Sequence, residues 1–144
     1  MKVRPILLVE DNSDDEMLTT TALKKLNIIN DIIVARDGVE ALDYLFARGK
    51  YSGRNIHNQP QVVLLDLKLP KVDGLEVLKE MRKSEELKRI PVVMLTSSNE
   101  ESDLVKSYDL GANGYVTKPV GLDDFMKAVK EVGVYWLLLN QPAP

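Results

Sequence analysis

Five short apolar runs recur along the chain, at residues 6–9, 32–35, 62–65, 92–95 and 114–116. They are rich in Val, Ile and Leu and mostly lack the alternation of a half-exposed strand. Runs of this kind suit parallel strands covered on both faces. Between them lie stretches with helical spacing. Leu18, Ala22 and Leu26 share a face in the first, Leu42, Leu45 and Phe46 in the second, and Val77, Leu78 and Met81 in the third. The last stretch carries Phe125, Ala128, Val129 and Val132 at the helical period.

Helix starts are marked as well. In a capping box, an oxygen-bearing residue is followed three positions later by Glu, and each side chain satisfies a free backbone N–H. Ser13 with Glu16, Asp37 with Glu40, Asp73 with Glu76 and Ser98 with Glu101 have this spacing. The pattern predicts (βα)₅: one α/β domain, a five-stranded parallel sheet in the order 2-1-3-4-5, helices on both faces. The core is expected over about residues 4–132 of a single domain spanning 1–144. The residues after Pro119 suffice for one helix and a short tail, so no second effector domain is expected.

Composition narrows the function classes. The chain is 44% hydrophobic and 28% charged, enough for one soluble core. Its net charge of −3 gives no reason to expect nucleic-acid binding. Without cysteine, disulfides, thiolate metal sites and cysteine nucleophiles are excluded, which suits a cytoplasmic location. No apolar run is long enough for a signal-peptide core or a membrane span. The one histidine, His57, lies in a polar stretch at residues 48–59 and is expected to be solvated; a His-based triad or multi-His metal site has no second member.

The polar residues that remain fall at one edge of the predicted sheet. Glu10 and Asp11 follow strand 1, Asp66 ends strand 3, Thr96 ends strand 4, and Lys118 lies just past strand 5. Ligands of open α/β sheets bind at the carboxyl ends of the strands, where the strand order reverses. That reversal lies between strands 1 and 3, so Glu10, Asp11 and Asp66 are expected to meet. Converging carboxylates either rise in pKa or share a cation. An all-oxygen donor set with open water positions favours Mg²⁺. Taken alone, Glu10 and Asp11 read equally well as acids placed ahead of a helix N-terminus. Asp66 is more telling, because a carboxylate ending a buried strand needs a partner. Beside Mg²⁺ it could attack phosphorus and form an acyl phosphate, with Lys118 and Thr96 supplying an ammonium and a hydroxyl to the phosphoryl oxygens.

Four segments together resemble the receiver domain of bacterial response regulators. They are Leu7-Leu8-Val9-Glu10-Asp11-Asn12, Leu65-Asp66-Leu67-Lys68-Leu69-Pro70-Lys71-Val72-Asp73-Gly74, Leu95-Thr96-Ser97 and Tyr115-Val116-Thr117-Lys118-Pro119. The resemblance covers about residues 4–132 and implies the flavodoxin-like fold. It makes Asp66 the phosphoacceptor, Asp11 a direct Mg²⁺ ligand, Glu10 a metal-holding residue acting through water, and the backbone carbonyl of Lys68 a further ligand. Thr96 would bond the phosphoryl group, and Tyr115 would be the aromatic whose rotamer follows it; by itself, an edge-strand aromatic is packing. Leu69 stands where Met is common. The insertion at 48–59, residues 87–93 and the tail Tyr135-Trp136-Leu137 also resemble the small single-domain regulators partnered with phytochrome histidine kinases.

The resemblance implies a signalling protein whose only catalysis is its own phosphorylation and dephosphorylation, with a sensor histidine kinase as partner and a helix 4–strand 5–helix 5 output surface. Two other readings compete. A phosphatase of the haloacid dehalogenase type wants an acid two positions after the nucleophile, where Lys68 stands. A degenerate receiver would have lost Asp66, Asp11 or Lys118. Lastly, residues 134–139 are all apolar or aromatic, more than one helix stripe can bury. A homodimer through the final helix and Trp136 is the expected remedy, and a tail folded back on its own domain is the alternative.

Overall fold

The apolar runs pair into one sheet in the computed structural model, which describes residues 4–97, 101–118 and 121–131. In chain order the elements are β1 (Ile6–Val9), α1 (Ser13–Lys25), β2 (Ile32–Ala35), α2 (Gly38–Leu45), β3 (Val62–Asp66), α3 (Gly74–Lys83), β4 (Val92–Thr96), α4 (Glu101–Asp109), β5 (Gly114–Thr117) and α5 (Leu122–Glu131). The sheet order is β2-β1-β3-β4-β5, and every neighbouring pair is parallel. Val9 pairs with Leu65, Asp66 with Leu95 and Thr96 with Thr117, so the strands end nearly level.

Successive strand residues point to opposite faces, which divides the core in two. Leu7, Val9, Val63, Leu65, Val92 and Met94 pack with Ala41, Leu42 and Leu45 of α2 and Val77, Leu78 and Met81 of α3. Ile6, Leu8, Val62, Leu64, Val93, Leu95 and Val116 pack with Leu23 of α1 and Phe125 and Ala128 of α5. Continuous apolar runs are therefore what a sheet covered on both faces requires. No helix among the described residues is long and apolar enough to cross a membrane.

The first helix departs from expectation in two ways. Its buried residues are Thr19, Ala22 and Leu23, while Leu18 is 51% exposed. Positions 19, 22, 23 and 26 form the true i, i+3, i+4, i+7 stripe, and Thr19 hides its start because it is polar. Leu18 is turned away by one residue of helical rotation. The N-cap is also Asn12, not Ser13: the Asn12 side chain accepts from the Asp15 backbone N–H at 2.9 Å. Glu16 does not close a box and instead pairs with Arg36. At α3, Asp73 caps by accepting from the Glu76 N–H at 3.0 Å. Ser98, Val132 and residues 134–139 with Trp136 lie outside the described residues, as does the side chain of Val129.

At α2, Asp37 accepts from the Glu40 N–H at 2.7 Å, but Glu40 reaches back to the N–H of Arg36, one residue before the cap. Glu40 also anchors the 48–59 insertion. Lys50 Nζ lies 2.7 Å from its carboxylate, and the Tyr51 hydroxyl donates to it at 2.8 Å. Arg54 stacks over the Tyr44 ring at 3.7 Å, and the Gln59 amide donates to the Leu45 carbonyl at 2.9 Å. His57 stays exposed in this loop.

Burial alone would raise the pKa of Glu40, but Lys50, the Arg36 N–H and Tyr51 outweigh it and hold the carboxyl at about 2. A lowered carboxylate pKa contributes stability that is present above the ordinary value of 4.5 and is lost as pH falls through about 2. Glu40→Gln should therefore cost on the order of 1 kcal/mol at neutral pH. Urea unfolding of the two proteins from pH 7 down to pH 2 should show that difference shrinking below about pH 4.5.

Candidate functional site

The crevice forms where the chain leaves β1 for β2 on one side and β3 leads toward β4 on the other. Glu10 is held there by its backbone N–H, which donates to the Ala35 carbonyl at 2.9 Å. Asp66 ends β3 opposite it. Glycine is needed just behind Asp66: a Cβ on Gly74 would lie 2.2 Å from the Asp66 carbonyl oxygen. The Gly74 N–H donates to the Leu67 carbonyl at 2.9 Å, drawing the start of α3 against this turn.

Glu10, Asp11 and Asp66 each offer a carboxylate oxygen, and these oxygens all lie within 4.8 Å of one another. Glu10 is fully buried, Asp66 is 6% exposed, and Asp11 faces solvent. Lys118 enters from the end of β5, its backbone N–H bonded to the Thr96 carbonyl at 2.7 Å. Its ammonium lies 2.6 Å from Glu10, 2.9 Å from Asp66 and 3.1 Å from Asp15. The other oxygens are served by backbone: Glu10 accepts from the Asn12 N–H and Asp66 from the Lys68 N–H, each at 3.3 Å.

Three carboxylates thus face one ammonium, and the fourth, Asp11, stands beside two of them. Burial, reinforced by a hydrogen bond to Asp66, outweighs Lys118 and pushes the Glu10 carboxyl up to about 7. Burial works against the charge on Lys118, yet its bonds to Glu10 and Asp66 prevail and raise its pKa above the ordinary lysine value. The site keeps its cation and sheds an anion by holding a proton. A hard dication would relieve the same excess, and the donor set, oxygen only and partly solvent-facing, fits one. Lys68 lies on the wall of a cleft of about 450 Å³ beside these groups, together with Asp11, Asp73 and Asp103.

Thr96 ends β4 almost fully buried, and the half-buried Tyr115 shares a side-chain hydrogen bond with it. Burial and the charge of Asp103 raise the Tyr115 pKa; the bond to Thr96 opposes them. Glu10, Asp11, Asp66, Lys68, Thr96 and Lys118 therefore lie at this one edge, with Tyr115 bonded to Thr96. Asp15 was missed. It stands in the first turn of α1, three residues after the Asn12 cap and so at the same carboxyl end of the sheet as Asp11, and that placement was the available signal.

Comparison with known proteins agrees with this geometry. Residues 6–130 match the response regulator receiver domain. Response regulator Rcp1 of Synechocystis sp. is 44% identical over 132 residues, 92% of this chain and 88% of Rcp1. The structure of the bacteriophytochrome response regulator AtBRR superposes with a TM-score of 0.88 at 59% identity, covering 98% of this chain and all of that one. A crystal structure of Rcp1 in its Mn²⁺-bound form gives 0.77 at 43% identity, covering 93% and 94% of the two chains. Sequence, fold and site thus lead to one conclusion: the chain belongs to the response regulator receiver domain family.

Proposed function

We propose that this protein takes a phosphoryl group from a sensor histidine kinase onto Asp66, and that the modified site re-sets the α4–β5–α5 surface for a partner. The observation that carries this reading is the convergence of Glu10, Asp11 and Asp66 at the carboxyl edge of the sheet, with the Lys118 ammonium on Glu10 and Asp66. Asp66 offers a carboxylate oxygen to phosphorus, and the bond from phosphorus to the donor nitrogen or oxygen breaks. Lys118 then bonds the phosphoryl oxygens instead of the carboxylate it faces at rest. Asp11, Asp66 and the Lys68 carbonyl would hold Mg²⁺, with Glu10 acting through water; the ion would neutralise phosphoryl charge. The relatives named for phytochrome signalling support a phytochrome-type kinase as the donor. The protein would act in the cytoplasm beside that kinase and pair with a second copy of itself through its C-terminal region. The protein acts on itself and not on a separate substrate.

Incubation with acetyl phosphate and Mg²⁺ should add one phosphate, detected by mass and released by hydroxylamine as an acyl phosphate is. Asp66→Asn should abolish the gain. Turnover of many donor equivalents would point to a phosphatase, and modification at Thr96 or Ser97 would overturn the assignment.

Metal binding should be pH-dependent. Glu10, with a pKa of about 7, must lose its proton to help hold a cation, so Mg²⁺ affinity should climb through pH 7 with proton release. Without metal the sign reverses. The folded state holds the Glu10 proton more tightly than the unfolded one, so stability should fall as pH rises from 4.5 to about 7. Calorimetric titration with Mg²⁺ in buffers of different ionisation enthalpy reads the proton release, which Glu10→Gln should remove.

The switch follows from the Thr96–Tyr115 bond. A phosphoryl oxygen bonded by the Thr96 hydroxyl must change the bond that hydroxyl now shares with Tyr115, biasing the Tyr115 rotamer and the surface around β5. Addition of beryllofluoride should shift amide resonances of α4, β5 and α5 in the wild type. In Thr96→Ala those shifts should collapse onto the metal site.

A further inference from the structure

We infer that Asp15 is a positioning residue for phosphoryl transfer, holding the Lys118 ammonium in place when its other two partners are taken up by the chemistry. This rests on the phosphoacceptor reading above. An ammonium has three N–H donors, and Lys118 has three carboxylates within 3.1 Å. Two of them, Glu10 and Asp66, belong to the trio suited to a cation; Asp15 does not. Once an Asp66 oxygen bonds phosphorus, the carboxylate loses its charge and its hold on Lys118 weakens. Glu10 would be drawn toward a cation. Among the described residues, the Asp15 side chain pairs with the lysine and stands outside the cation trio.

The placement of Asp15 is itself determined. It lies in the first turn of α1, where its backbone N–H donates to the Asn12 cap at 2.9 Å. Lys118 stands one residue beyond β5 on a flexible four-carbon stem, so an anchor on a separate element restricts where its charge can go. The pair is partly desolvated, with side chains 9% and 33% exposed, which strengthens it relative to a fully exposed ion pair. Asp15 also contributes negative charge to the α1 N-terminus, but so do Asp14 and Glu16. Asp14 is exposed and serves as the control for that helix effect.

Beryllofluoride binding at saturating Mg²⁺ tests the assignment in wild type, Asp15→Asn, Asp14→Asn, Lys118→Ala and the Asp15→Asn/Lys118→Ala double variant. Asp15→Asn should weaken binding about fivefold, the scale of one charge-assisted bond. Asp14→Asn should bind as wild type does. The loss from Asp15→Asn should vanish in the Lys118→Ala background, because Asp15 acts only through that lysine. An unchanged affinity in Asp15→Asn, or an equal loss in both backgrounds, would overturn the inference. The Lys118 ammonium resonance gives a second reading without the double variant: in the beryllofluoride-bound state its protons should exchange with water faster in Asp15→Asn, and equal rates would count against it. A wild type that fails to bind beryllofluoride would overturn the phosphoacceptor reading instead.

Discussion

The ammonium of Lys118 inside a ring of carboxylates is the interaction on which this edge of the molecule depends. Removing one charge from water is costly, and removing several of the same sign is more so unless an opposite charge stands among them. Glu10 is fully buried and Asp66 nearly so. Neither position is tenable without Lys118 at 2.6 and 2.9 Å. The lysine in turn is tolerated at low exposure because it has those partners. Taking away any one member strands the others, so β1, β3 and β5 are joined through their ends as well as through the sheet.

The sheet makes that arrangement rigid. Its three central strands are buried on both faces, and their ends are level because β1 to β3, β3 to β4 and β4 to β5 pair in register. The Gly74 backbone presses on the Asp66 turn so closely that any side chain would displace it. Arg82, at the far end of α3, donates to the carbonyls of Lys88, Ile90 and Gly111, closing the loops that precede β4 and β5. With the platform so constrained, a change at Asp66 would have few soft outlets. The bond between Thr96 and Tyr115 would be one, because it links a buried strand end to a half-buried ring at the sheet edge.

Much of this was legible because the signal was chemical or periodic. All five strands fall where apolar runs predicted them, with β3, β4 and β5 each one residue longer. The polar residues at their ends could then be placed by topology alone. What escaped depended on side chains whose role their type conceals. Thr19 is polar yet buried, and it hid the start of the α1 stripe. Asn12 caps α1 because its own backbone is still extended, at φ −94° and ψ 119°, which residue spacing does not report. Glu40 was read as half of a capping box, whereas it also gathers Lys50 and Tyr51. Arg82 looks like a surface arginine in sequence and spends its donors on backbone carbonyls. Each case is tertiary context assigning a partner that local pattern cannot.

The charge pattern also explains why such a site can rest quietly and still respond. With Glu10 holding its proton up to about pH 7 and Lys118 charged, the resting crevice carries less negative charge than its four carboxylates suggest. A dication exchanging for a Glu10 proton would leave the crevice one charge more positive. That gain would suit it to the charge a phosphoryl group brings. A cation and a phosphoryl group would then favour each other's presence through the same few side chains. Coupling of this kind needs no movement of the sheet, only the exchange of bonds among Glu10, Asp66 and Lys118 at its edge.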